Sequence, residues 1–199
     1  MFQEQKRHAK LINYTERILV WHIATSHCED HRPVAEPTIQ SDNRKVASIL
    51  SGYCAYLVAS APELLPDGAT WNGFIVKGVR EIAQSELRGL GTRWITKLVG
   101  KTRKGLHMED EGRPSQRPAQ VYREGKELGR QLLEVIEDEE ELWQVLATLW
   151  TEMLLSMAPS DDLNAHAESI AKGGEFITHV WALLSNVGIN EHRAQPNGV

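Results

Sequence analysis

Apolar residues recur at helical spacing through Phe176, Val180, Leu183, Leu184 and Val187, while Ile177, Trp181 and Leu184 make a second overlapping row. A stretch apolar over most of its circumference, here His166 to Ile189, predicts a helix with neighbours on several sides. The rest of the chain is therefore expected to pack around it. Its polar remainder is a narrow stripe of Glu175, Thr178, His179, Ser185 and Asn186. Elsewhere there is no strand-like alternation longer than four residues and no internal repeat. The fold class that follows is all-α: a single bundle of about six helices around a central C-terminal apolar helix.

The helices are expected in this order. The first spans about Gln5 to Ser26, with Ile12, Leu19, Ile23 and Val20 inward and Thr15, His22, Thr25 and Ser26 as a polar stripe. A loop with two prolines follows, Cys28 to Thr38. Ser41 or Asp42 caps the next helix, whose core face is Val46, Ile49, Leu50, Tyr53 and Leu57, and Pro62 closes it. After a turn-rich connection, Leu64 to Gly73, a helix from Phe74 to about Leu98 carries Ile75, Val79 and Ile82 and breaks near Gly89 and Gly91.

Residues 100–120 lack apolar periodicity and are expected to be a mobile loop. Helix resumes near Ala119, with Val121, Leu128, Leu132, Val135 and Ile136 inward. Gly125 and Gly129 reproduce the spacing of a membrane-helix dimer motif, which carries little weight in so charged a helix. The run Glu134–Glu141 has six acids in eight residues. Their repulsion should end that helix, and their charge should favour the start of the next one, Glu141 to Met157. There Trp143 and Trp150 lie on one side, opposite Gln144, Thr148, Thr151, Glu152 and Ser156. Residues 1–190 are expected to form one domain, with 191–199 a disordered tail.

Hydrophobic content of 41% beside 25% charged residues is that of a globular protein. A net charge of -5 and a pI near 5.9 argue against a nucleic-acid module, and the one basic run, Lys97 to Lys104, reads as a solvated loop. Cys28 and Cys54 are too few for a disulfide framework and are expected as reduced thiols, which fits a cytoplasmic location. No window reaches the ~18 apolar residues of a membrane span, and the charged N-terminus lacks a signal peptide's apolar core.

Several residues could carry chemistry. Gly173 and Gly174 are expected as the entry to the helix that carries the densest apolar run, where they would cost up to ~2 kcal/mol together relative to alanines, best offset by close approach of a neighbouring helix. Read instead as a phosphate cradle, KGGE has no preceding strand and no Ser or Thr at the required spacing. Glu175 and His179, four apart, have the spacing of two metal ligands or of a carboxylate–imidazole pair. With His22 and Glu152 on two other polar stripes they could converge on a metal or acid–base site; the plainer expectation is solvent faces or interhelical hydrogen bonds. His22, His27, Cys28 and His31 lack the second ligand pair of a structural zinc site. No cofactor is predicted.

Three separated stretches, ILVWHIAT (Ile18–Thr25), LWTEML (Leu149–Leu154) and HAESIAKGGEFITHVWALLSNVGI (His166–Ile189), carry a resemblance. With KVASILSGYCAYLVASAPELLP (Lys45–Pro66), they resemble the C-terminal domain of a large plant family of uncharacterised proteins, the domain of unknown function 594. His22, Glu152, Gly173, Gly174, Glu175, Thr178, His179 and Trp181 sit in its motifs, and the family assigns none of them a catalytic role. Ser26 departs from the pattern, standing where the family has an acidic residue. The resemblance implies a membrane-associated setting, since the family's domain follows a multi-spanning region that this chain, like a truncated member, lacks. The function expected is a non-catalytic regulatory or interaction domain that meets a protein partner on the cytoplasmic side of a membrane. The alternative is a helical domain that binds a metal or small molecule through converged Glu and His, with hydrolytic chemistry.

Overall fold

Helix α1 (Tyr14–His31) buries ten of its eighteen residues, apolar and polar alike. The computed structural model describes residues 13–33, 41–66, 72–86, 116–159 and 162–188. Their other helices are α2 (Asp42–Ser60), α3 (Asn72–Glu86), α4 (Gln116–Val135), α5 (Glu139–Met157), α6 (Leu163–Ala171) and α7 (Phe176–Asn186), with a 3-10 turn at Pro62–Leu64. The all-α class is as the sequence predicts. Among the described residues no helix is long and apolar enough to cross a membrane.

The centre, however, is α1 and not the C-terminal helix. Helix α4 lies along α1, α5 along α2, and α2 and α3 also touch α1. The C-terminal stretch is two short helices on the outside, and α7 buries only Ile177 and Thr178. Periodicity misjudges this because α1 hides its polar stripe inside. His22 Nδ1 is 2.7 Å from Ser51 Oγ, Thr25 Oγ1 donates to the Trp21 carbonyl, and Trp150 Nε1 donates to Thr25 Oγ1 at 3.0 Å. A buried hydroxyl that turns back to its own helix removes most of the desolvation penalty.

Gly125 and Gly129 make the α1–α4 seam. A Cβ on Gly125 would stand 2.7 Å from Ile23 Cβ, and one on Gly129 2.7 Å from His27 Cβ. The spacing discounted in the sequence is thus the close helix crossing that glycine permits. Glu16, at the start of α1, receives two hydrogen bonds from Arg117 of α4, at 2.8 and 2.5 Å.

Three other expectations are corrected. Helix α1 continues to His31, five residues past Ser26, because nothing in Cys28–His31 breaks a helix before Pro33. Helix α2 is rotated: Val46 and Ile49 face solvent, while Ala47, Ser51, Cys54, Ala55, Leu57 and Val58 are inside. Small residues there let α1 approach, and that close approach outweighs burial of the larger side chains. In α4, which begins at Gln116, Val135 is exposed.

The caps follow the sequence. Ser41 Oγ accepts from the Arg44 amide, and Pro62 follows the end of α2. The acidic run breaks the chain at 136–138, Asp138 caps α5, and Glu139–Glu141 occupy its first turn. Trp143 and Trp150 are both buried, and Gln144, Thr148, Thr151, Glu152 and Ser156 are exposed, as predicted. Arg32 donates to the carbonyls of Ile136 and Glu137, and Arg44, buried, lies 4.4 Å over the Trp143 ring while bonding Glu139 at 3.1 Å. The expected first turns before Asn13, the break at Gly89 and Gly91, the basic run Lys97–Lys104, most of the 100–120 loop and the tail 191–199 lie outside the described residues.

Candidate functional site

The candidate residues fall in three places. His22 is interior, paired with Ser51 between α1 and α2. Glu152 stands on the solvent face of α5. Gly173, Gly174, Glu175, Thr178, His179 and Trp181 belong to a hairpin formed by α6 and α7.

Asp162 opens that hairpin, its carboxylate accepting from the Ala165 amide at 3.0 Å. Helix α6 ends where the Gly174 amide reaches back to the Ser169 carbonyl at 2.8 Å. Gly173 and Gly174 have φ of 110° and 76°. A Cβ on Gly173 would meet nothing within 4 Å. The pair is therefore demanded by backbone conformation rather than by a neighbouring helix, which corrects the packing expectation. They reverse the chain between two helices instead of entering one.

Glu175 occupies the N-cap position of α7, and its amide donates to Ser169 Oγ at 3.0 Å. Its carboxylate accepts a 2.8 Å hydrogen bond from Tyr56, which holds the phenol above its usual range. Tyr53 Oη accepts from the Ile177 amide at 2.9 Å, and its ring meets Phe176 edge-on at 5.8 Å. Burial raises the Tyr53 phenol too. Two tyrosines three apart on α2 thus hold the start of α7. His179 is exposed, and its amide bonds the Glu175 carbonyl.

Inside the hairpin, His166 is fully buried. Its ring stacks on Trp181 at 4.5 Å, with 8° between the planes. His166 Nδ1 is 3.1 Å from Thr178 Oγ1, which donates to Ser169 Oγ at 3.2 Å. Desolvation holds the imidazole below its ordinary range, partly opposed by the Asp162 carboxylate.

Among the described residues no three His, Cys, Asp or Glu side chains form a group that could hold a metal ion. His22, Glu152, Glu175 and His179 are accordingly not brought together. In the other cluster, His27 and His31 approach to 4.0 Å between ring centres, while the buried Cys28 thiol points to the Gly129 carbonyl. The Thr178 and Ser169 hydroxyls bond each other and Thr178 meets His166 Nδ1, while the two phenols of α2 bond the start of α7.

Sequence reasoning missed Tyr53 as an anchor, and with it Tyr56, Ser169, His166 and Ser51. The available signal was the Tyr53–Tyr56 pair on a helix whose smaller residues form the opposite face.

Residues 135–189 match the family model described as "Protein of unknown function, DUF594", a span that holds α5 and the whole hairpin. No curated protein and no solved structure matches the chain.

Proposed function

We propose, from the premise that the chain belongs through residues 135–189 to the family of unknown function 594, that this is a non-catalytic interaction domain. Helix α7 receives an apolar helix of a partner protein. One observation carries the reading. Phe176 and Leu183 on α7 and Val187 at its C-cap stand outward, 53%, 65% and 63% exposed, with the half-buried Val180 completing the row. Their steps of four, three and four residues are those of a helix–helix seam. Such a row, on a hairpin tied to α2 by the Tyr53–Ile177 and Tyr56–Glu175 hydrogen bonds, has the character of a docking face. Attachment to a membrane through a further segment, and a plant source, belong to the same proposal.

A photo-crosslinking residue at position 183, with a second at the exposed Thr148 as control, tests the reading. The products are mapped to residues by mass spectrometry. The expected product at 183 attaches to apolar positions three and four apart on one partner helix, and Leu183→Lys competitor protein fails to suppress it. Equal, scattered attachment from 183 and 148 overturns the reading. Native mass spectrometry addresses the alternative of metal or small-molecule binding. A stoichiometric adduct lost on Glu175→Ala or His179→Ala replaces the interaction reading with a binding site.

A further inference from the structure

We propose that the α6–α7 hairpin is an acid-operated latch whose trigger is His166. The ring is enclosed between the two helices, with Trp181 stacked on one face and Thr178 at Nδ1. Thr178 spends its single proton on Ser169, so its oxygen receives the Nδ1 hydrogen, and His166 carries its proton on Nδ1. Nε2 is then a bare lone pair, buried and without a hydrogen-bond partner. A second proton must go to Nε2. It would create a cationic N–H donor with no acceptor in an enclosed site, a state that folded proteins avoid by opening or by refusing the proton.

The charged and titratable groups around the ring do not relieve this. On α6 and its cap are Asp162 and Glu168; Asp162 caps the Ala165 amide and attracts the cation only in part, and Glu168 lies by Lys172. At α7 are Glu175, engaged by Tyr56, and the exposed His179. The 3-10 turn packed on α6 carries the exposed Glu63, and α2 contributes the phenols Tyr53 and Tyr56. Burial keeps His166 neutral below its ordinary value of 6.5, so the sign is fixed. The closed hairpin is fully stable above pH 6.5. As pH falls below that value the open form binds the proton more readily, and closure weakens until the folded His166 also titrates.

What the latch holds is limited. Helix α7 is attached to α2 by the Tyr53–Ile177 and Tyr56–Glu175 hydrogen bonds and by Tyr53 against Phe176, and α6 rests on the 3-10 turn. Opening therefore frees the hairpin while α1, α2, α4 and α5 stay packed. The latch stands whether or not α7 receives a partner.

Hydrogen exchange of the full chain at about pH 7.5 and about pH 5, corrected for intrinsic exchange, reads it directly. Amides of 163–186, the Ile177 amide among them, should lose protection by up to about tenfold per pH unit below 6.5, and α2 amides should not. His166→Asn, which keeps a donor toward Thr178, and His166→Phe, which keeps the stack on Trp181, should each make hairpin protection independent of pH. His27, also held low, at about 4, sits in the α1–α4 seam, so its titration reports there and not in the hairpin. Unchanged hairpin protection in the wild type, or the same pH response in both variants, overturns the latch. If neither variant folds, histidine NMR of the wild type decides: an Nδ1–H tautomer with no titration in the closed hairpin near 6.5 supports it, and ordinary titration without opening overturns it.

Discussion

At the scale of single residues, the most demanding positions carry no side chain. Gly125 and Gly129 let α4 approach until their missing Cβ atoms would lie within 3.0 Å of Ile23, His27 and backbone oxygens of α1. Gly129→Ala is expected to destabilise the protein by about 1–3 kcal/mol in urea unfolding, because two helix axes must separate to admit one methyl group. Gly73→Ala is the matched control. Its Cβ would meet nothing within 4 Å, so no loss is expected there. The buried polar residues between α1 and α2 work in a related way: His22 and Thr25 of α1 and Ser51 of α2 fit because each has a partner at hydrogen-bond distance or in its own helix.

At the scale of elements, the hairpin depends on its turn. Gly174 has φ of 76°, and a Cβ there would touch only the far end of His179, so conformation rather than space sets the cost of substituting it. Gly174→Ala should cost about 1–2 kcal/mol and raise local opening of 163–186 about tenfold by hydrogen exchange, while the core helices keep their protection. The element boundaries were legible wherever local chemistry decides them. Ser41, Pro62, Asp138 and the acid run act on the backbone next to them, and their effect does not depend on the fold. The facing of helices was less legible. Val46 and Ile49 are larger and more apolar than Ala47 and Ser51, yet the smaller pair lies inside because α1 needs room. That need arises from a helix elsewhere in the chain and leaves no local mark. The candidate site divided along the same line. The motif residues from Gly173 to Trp181 are neighbours in space because one turn joins them, whereas no local pattern linked them to Tyr53 and Tyr56.

At the scale of the molecule, the interior is closed around both thiols. Cys28 and Cys54 are free and buried, and desolvation pushes them up to about 11 and about 12. Neither should be alkylated at about pH 8 in the folded state, since the thiolate is the reacting species. Labelling by iodoacetamide should instead follow global unfolding, with both sites reacting together as urea passes the transition; early labelling of either would reveal a separate opening of its seam. The order of the chain adds a demand on synthesis. Cys28 and the Gly129 carbonyl it meets are 101 positions apart. At ~5–20 residues per second, a ribosome takes roughly 5–20 s to deliver α4 after α1. For that interval the helix destined for the centre has its largest neighbour still unmade. In that interval α2 is the neighbour already made that can cover it, and a lesion in α4 that hinders docking prolongs the exposure.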